Sequence, residues 1–474
     1  MCVFPLLAQL GFKGERKSAS AVREMVTNLS AERTQVLCMF LGMKQKHTLL
    51  CEYRCSRWKC MKVFICLILS LHNALNVTAY YPDYQTYHNL QSISDELASL
   101  ALDFPSLVQL HTIGTSRQNR PIFAVNLFDT HRARACSPPT VILTSGEHAR
   151  EFIPVEALLV LMRNLTKAAI AASPDHAEIL QRVRVIAVPM ANPDGRGVVE
   201  QQGNWCWRGM SNGVDINRNF PWEFGGLGSS ADPNNEEFKG PSPLSEPESR
   251  AISSIFNSSS PPAAYASLHS GSQVIYTPYS DSVSKRMHRL PSGSASAVNL
   301  AVEMAAQSGM FYTETGVVYE KNDYTADGTV SDWASAVMQV PLVFTFEMFG
   351  DPKAGDLSNC FEQFNPESAE VSKCVQKQLP ALLFLLRHVA RDAELECELR
   401  SLKATVTDKI SSEAAAAVHT EARASPRQGD GGPMKQDIVH DMHILSRDIQ
   451  RAQAALQQAR QALVASLRAR GVSK

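Results

Sequence analysis

Neither sign of charge dominates this 474-residue chain: 46 Lys and Arg face 47 Asp and Glu, for a formal net charge of -1. That balance gives no electrostatic footing for binding nucleic acid or an anionic membrane. Long apolar runs are missing too. The stretch Val63 to Leu71 falls far short of the roughly 20 residues that a stable membrane span needs. Cysteine is sparse where a large domain would fold: beyond Ala79 only Cys136, Cys206, Cys360, Cys374 and Cys397 occur. An odd set leaves at least one of them unpaired or bridged to another chain. Export is compatible with this usage and is not demanded by it. Spacing favours a Cys360–Cys374 bridge across a short loop, with free buried thiols as the alternative, since a core of this size needs no disulfide.

What is present is enough apolar material, 44% of the chain, for one large domain with tails. The first 60 residues are basic in balance and read as an upstream extension, disordered or untranslated. Cys51, Cys55 and Cys60 within them match no zinc spacing. At Met61-Lys62 the pattern changes to a short apolar stretch followed by Val77-Thr-Ala79, the small-residue spacing of a signal-peptidase site. Residues 61–79 therefore read as a signal peptide, with the mature chain opening near Tyr80 in the secretory pathway or outside the cell. Asn164-Leu-Thr166 and Asn257-Ser-Ser259 are glycosylation acceptors if they face the lumen.

From Tyr87 the chain alternates helical and strand patterns. Leu90 to Leu102 has helical spacing, Pro121–Leu127, Thr140–Thr144 and Arg184–Pro189 read as strands, and Val155–Leu165 as an apolar helix. Asn192-Pro-Asp-Gly195 reads as a turn. Ala263 to Leu268 leads into His269, and Val340 to Phe346 into Glu347. Such alternation predicts an α/β fold: a mixed, mostly parallel sheet covered by helices on both faces, with a helical C-terminal tail. The domain is expected over 80–395, closing with a helix after Pro366 that kinks or breaks at Pro380. A linker, partly helical, follows over 396–437, its Ala, Ser and Gly concentrated in 411–433. Over 438–470 apolar residues from Ile438 to Leu463 recur at steps of four and three. That seam fits either a self-associating coiled coil or one amphipathic helix folded back on the domain.

In open α/β sheets ligands bind beyond the carboxyl ends of the strands, and His148, His269 and Glu347 all follow apolar runs. His148-Ala-Arg-Glu151 with His269 offers two imidazoles and a carboxylate, the ligand set of a zinc site that keeps a fourth position open. Alone, His-x-x-Glu occurs by chance. Asn204-Trp-Cys-Trp-Arg208 and Gly213-Val-Asp-Ile-Asn217-Arg218-Asn219 then add two arginines, the residue type suited to gripping a carboxylate. Downstream, Asp323-Tyr324 to Asp332-Trp333 has the turn composition of a surface loop around one tyrosine.

In this order, His148-x-x-Glu151, Trp207-Arg208, Asp215-Ile-Asn217-Arg218-Asn219, Ser267-Leu-His269-Ser, Tyr324 with Ser331-Asp332-Trp333, and Phe344-Thr-Phe-Glu347 resemble the zinc metallocarboxypeptidases of the carboxypeptidase A/B type over about residues 85 to 390. The resemblance implies one zinc ion held by His148, Glu151 and His269. It implies Glu347 as the base for a zinc-activated water, Arg208 as the oxyanion donor, and Asn217, Arg218 and Tyr324 as the grip on the C-terminal carboxylate of a peptide or protein. Ser331 falls where A-type enzymes have an apolar residue and B-type enzymes an acidic one, at the base of the side-chain pocket, and it fits neither. Asp281, one residue out of register with the acid that follows Pro-Tyr in the regulatory branch, either recognises a terminal Lys or Arg or is a turn carboxylate. No segment resembles an inhibitory prodomain, so activity without proteolytic activation is expected. Two alternatives remain: a zinc hydrolase of the same fold acting on glutamate side chains or cell-wall peptides, and an inactive binding protein.

Overall fold

The computed structural model describes residues 81–131, 138–171, 178–257, 261–350 and 360–423. The leader, with Cys51, Cys55 and Cys60, the signal segment, Tyr80, Cys136, Ser258-Ser259, the linker beyond 423 and the 438–470 seam lie outside the described residues. Among the described residues no helix is long and apolar enough to cross a membrane.

Eight strands form one mixed sheet: β1 Val108–Thr115, β2 Pro121–Leu127, β3 Thr140–Ser145, β4 Arg184–Val188, β5 Ala264–His269, β6 Ser272–Thr277, β7 Glu314–Val317 and β8 Leu342–Phe349. Their order is β1-β2-β4-β3-β5-β8-β6-β7. The centre, β4-β3-β5-β8, is parallel, while β1 and β2 run antiparallel at one edge and β6 returns antiparallel to β8. Parallel neighbours need crossovers, and the helix Ile153–Ala171 makes the first of them.

Strand alternation explains why both faces are covered. Val141 and Leu143, Ala264, Ala266 and Leu268, and Phe344, Phe346 and Met348 face one core, shared with helices Leu90–Asp103, Ile153–Ala171, Ser294–Gln307 and Val371–Arg423. Ile142, Tyr265 and Val343 face a second core, closed by Pro247–Ser254 and Val330–Ala336. The central strands β3 and β5 are buried along nearly their whole length, so they read in the sequence as continuous apolar runs.

Three expectations are corrected. Asn192-Pro-Asp-Gly195 does not close a turn: Asn192 caps a helix over Pro193–Gln202, its side chain accepting from the Gly195 N–H at 2.8 Å. Proline in the first turn is compatible with a helix because that N–H has no intrahelical partner. The helix at the end of the domain runs unbroken from Val371 to Arg423 through Pro380, since its first part is locked in the core by Leu379, Leu382, Leu386 and Val389. The Cys360–Cys374 bridge does not form either. Cys360 pairs with Cys206, 154 residues away, and Cys374 is a free thiol buried in the core. Loop-closure entropy favours the short ring, but Cys374 lies on the inward face of the long helix while Cys360 meets the Trp205–Arg208 loop. Cys397 is disulfide-bonded as well.

Candidate active site

The carboxyl ends of β3, β5 and β8 open into a cavity of about 390 Å³. His148 and Glu151 occupy the turn between β3 and the helix Ile153–Ala171, while His269 ends β5 and pairs in register with Glu347 of β8. Asn365 holds that turn by accepting from the Phe152 and Ile153 N–H groups at 2.7 and 3.0 Å and donating to the Arg150 carbonyl at 2.9 Å. Ala149 N–H donates to the Arg208 carbonyl at 2.9 Å, which ties the second loop to the first. Gly195 is needed beneath them, because a Cβ there would lie 2.4 Å from the Gly209 carbonyl oxygen.

His148, Glu151 and His269 are all buried, and their ligand atoms lie within 4.8 Å of one another. Nδ1 of His148 is 2.7 Å from Glu151 Oε1, and Nδ1 of His269 is 3.0 Å from Oε2. The opposite ring nitrogens are engaged elsewhere: His148 Nε2 with Asp215 Oδ1 at 3.2 Å, and His269 Nε2 with Ser267 Oγ at 2.8 Å. Two imidazoles each oriented from behind, with a carboxylate between them, are a donor set suited to zinc.

Electrostatics point the same way. Burial alone would lower the His269 pKa, but the carboxylates of Glu151, Glu147 and Glu347 raise it to about 9; the cage favours positive charge. Burial would raise the Glu151 pKa, yet the two imidazoles hold it well below the usual carboxylate range. Asp215 is likewise depressed despite burial, by Arg208 first and then His148. Glu347 is the exception. Burial and the charge of Glu151 push its pKa up to about 7, against the opposing pull of His269 and Arg208, and its Oε2 is buried without a hydrogen-bond partner. A carboxyl group with a pKa near neutrality is suited to taking and returning a proton.

Residues 93–381 match the family model of the zinc carboxypeptidases. The chain belongs to the zinc carboxypeptidase family. Carboxypeptidase A4 of Mus musculus is 32% identical over 278 residues, 56% of this chain and 63% of that protein. Carboxypeptidase A1 of Sus scrofa is 26% identical over 316 residues, 65% of this chain and 71% of that protein. The chain spans about half to two thirds of the length of the first of these relatives, 48% for carboxypeptidase A2 of Mus musculus. In fold it is similar to the carboxypeptidase A from Helicoverpa armigera, with a TM-score of 0.56 at 24% identity over 67% of this chain and 77% of that one. The thrombin activatable fibrinolysis inhibitor is similar as well, with a TM-score of 0.57 at 23% identity over 65% of this chain and 75% of that one. Among the described residues of this zinc carboxypeptidase domain, the group able to hold one metal ion is thus His148, Glu151 and His269.

The same cavity is lined by Arg208, Asn217, Arg218, Tyr324, Ser331 and Glu347. Arg208 donates from Nε to Asp215 Oδ2 at 3.0 Å, with its Nη1 3.9 Å from Glu151. Arg218, buried, spends three of its five N–H groups on the Gly228 carbonyl, the Asn217 carbonyl and Glu237. Asn217 accepts from the Val330 N–H at 3.0 Å, which joins the arginine segment to the helix Val330–Ala336. Tyr324 is 61% exposed, at the rim.

Asp281 is not brought to the cavity. It is fully buried and caps the helix Ser282–Met287, accepting from Ser284 N–H and Oγ at 2.7 and 2.6 Å, from Trp222 and from Arg289. A cap carboxylate with four donors has no face left for a substrate. In its place Ser280, Thr329, Asp332 and Thr345 line the wall beside Ser331. Sequence reasoning assigned no role to these four, nor to Asp215, Asn365 or Glu147. Asp215 stands in the Asp-Ile-Asn-Arg-Asn run, so a signal for it exists in the sequence; Asn365 and Thr345 carry no local pattern.

Proposed function

We propose that the chain is a zinc-dependent carboxypeptidase that hydrolyses the last peptide bond of peptides or proteins. The observation that carries this reading is that Arg218, with Asn217, lines the same cavity as the His148–Glu151–His269 group and Glu347. A fixed cation beyond the hydrolytic centre stops a chain at its terminus, because only a terminal residue presents a carboxylate there.

Zinc at these ligands supplies a Lewis acid that polarises the carbonyl and makes water acidic. Arg218, Asn217 and the Tyr324 hydroxyl bind the terminal carboxylate and set the scissile bond over the histidines. Glu347 Oε2 takes a proton from the water as its oxygen attacks the carbonyl carbon, then delivers it to the amine nitrogen as the C–N bond breaks. The guanidinium of Arg208, kept charged by Asp215 and Glu151 despite its desolvation, donates to the oxyanion. Loss of one such donor typically lowers turnover by about 10² to 10³.

The side-chain pocket is polar. Ser331 Oγ and Thr345 Oγ1 lie 2.8 Å apart, sharing one of their two hydrogens and leaving the other, with lone pairs, to meet a ligand. Asp332 in this wall is committed to the Ser280 N–H and Oγ and the Asp281 N–H, and burial pushes its pKa up to about 7, so that its charge is only partly present at neutral pH. We read this as a preference for uncharged polar C-terminal side chains. The Cys206–Cys360 disulfide supports residence in an oxidising compartment, in line with a signal peptide at 61–79.

The purified chain is expected to hold about one zinc ion and to release C-terminal residues from a mixed peptide set, with Glu347→Gln keeping the zinc and losing release. Zinc without release from any peptide would instead favour a binding protein.

A further inference from the structure

We propose that Glu147 is a positioning residue that, through Ser267, fixes which nitrogen of His269 carries the ring proton, and so presents the other nitrogen to zinc. The inference rests on the reading of His148, Glu151 and His269 as a zinc site.

Glu147 is 1% exposed, and its Oε1 accepts from two hydroxyls, Thr144 Oγ1 at 2.5 Å and Ser267 Oγ at 3.0 Å. Thr144 Oγ1 also touches the Tyr265 hydroxyl at 2.7 Å, and Ser267 Oγ touches both that hydroxyl and the Nε2 of His269, the latter at 2.8 Å. A carboxylate only accepts, and a serine has one hydrogen. Of the acceptors in reach of Ser267 the Glu147 carboxylate is the strongest, so Ser267 points its hydrogen there, leaving only lone pairs towards His269. Nε2 must then keep its proton, so that when the ring gives up one proton to bind a metal it is Nδ1, the nitrogen facing Glu151 and His148, that loses it. On the other arm Tyr265 donates to Thr144; burial and the Glu147 charge raise the phenol's pKa, so that its proton stays in place.

A competing partner gives the relay its purpose. Asn217 Nδ2, a donor, stands 3.5 Å from the same Nε2 of His269. Were Ser267 free to donate to His269 as well, Nε2 would become an acceptor, the proton would move to Nδ1, and the metal-facing nitrogen would be blocked. His148 needs no such relay, because Asp215, an acceptor, meets its Nε2 directly. The two histidines reach the same tautomer by different routes, one through a single bond and one through two. Glu147 Oε2 has no hydrogen-bond partner, so the carboxylate is held at a desolvation cost that an apolar side chain would not incur.

The test is zinc affinity, measured by chelator competition on the full chain. Glu147→Gln can donate as well as accept, so Ser267 is no longer forced, and affinity should fall about 10- to 100-fold, the usual range for partners behind a ligand. Ser267→Ala should fall by a similar factor and keeps the test open should Glu147→Gln fold poorly. In the double variant the two losses should not multiply, because both act through one hydrogen bond. KM for terminal-carboxylate peptides at saturating zinc should stay at the wild-type value. The proposal is overturned if Glu147→Gln binds zinc within about twofold of wild type, or if the losses multiply in full. A wild-type chain that binds no zinc would overturn the zinc reading itself, which is a different result.

Discussion

The two ends of the cavity are built in opposite ways. At the metal end every ligand stands at or just past the end of a buried parallel strand, and each has a second partner that orients it: Asp215 behind His148, Ser267 behind His269, the Ser270 N–H on Glu151. The opposite wall is assembled from a loop, a short helix and the β8 residue Thr345, and its hydroxyls, Ser280, Thr329, Ser331 and Thr345, bond mainly to one another and to Asp332. The first is set by residue type, since few substitutions preserve a ligand atom at a given place. The second is set by volume and polarity, which several residues could supply. Changes at the metal end should therefore abolish function, and changes at the far end should redirect it.

The largest effect is expected from His269→Ala. Zinc should be lost from the purified protein and peptide release should drop to background, as read by metal analysis alongside a release assay. Retained zinc in that variant would break the comparison at once. Arg218→Met stands between the two ends. It should raise KM for peptides ending in a free carboxylate by about 10- to 100-fold, the cost of losing charged hydrogen bonds, while zinc content stays at one per chain. Equal loss of zinc would mean that Arg218 acts as a strut, through its bonds to Gly228, Asn217 and Glu237.

The same contrast explains what was legible beforehand. Strands β3, β4, β5 and β8 and the first helix could be read because buried parallel strands are near-continuous apolar runs and an amphipathic helix keeps its period; the antiparallel β2 could be read as well, because most of its residues are apolar. The edge strand β1, exposed at half its positions and with its register shifted between Thr112 and Gly114, has no such run; β6 and β7 begin in polar residues and lack one for the same reason. In the site, His148, Glu151, His269 and Glu347 could be found because they follow those runs in a recognisable order. Thr345 could not, since a threonine inside a strand is ordinary until Ser331 is seen against it. Asp281 and the cysteines failed differently: a cap and a disulfide depend on which loops meet, and spacing along the chain does not record that.

Ser331→Ile tests the far end. It removes a hydroxyl and adds apolar volume, so release of Leu should rise relative to Gln. A gain of about tenfold is the scale for a change of one or two methylenes in a pocket, with zinc content unmoved. If Gln and Leu termini respond alike, Ser331 does not meet the substrate side chain.

The smallest effect concerns stability. Burial, with the Asp281 charge adding to it and the Ser280 bonds opposing, raises the Asp332 pKa to about 7, above the value of about 3.9 for an unfolded aspartate. Between those values the native state holds a proton that the unfolded chain has released. Its contribution is fully present below about pH 4 and is lost as pH rises through 7, and each unit of separation is worth about 1.4 kcal/mol at most. An asparagine at this position would resemble the neutral acid at every pH. The stability gap between wild type and Asp332→Asn, measured by urea unfolding at pH 4.5, 6 and 8, should therefore shift in favour of the variant as pH rises. A gap that stays constant would mean that Asp332 is ionised throughout, and the wall beside Ser331 would then carry a charge able to select a cationic terminus.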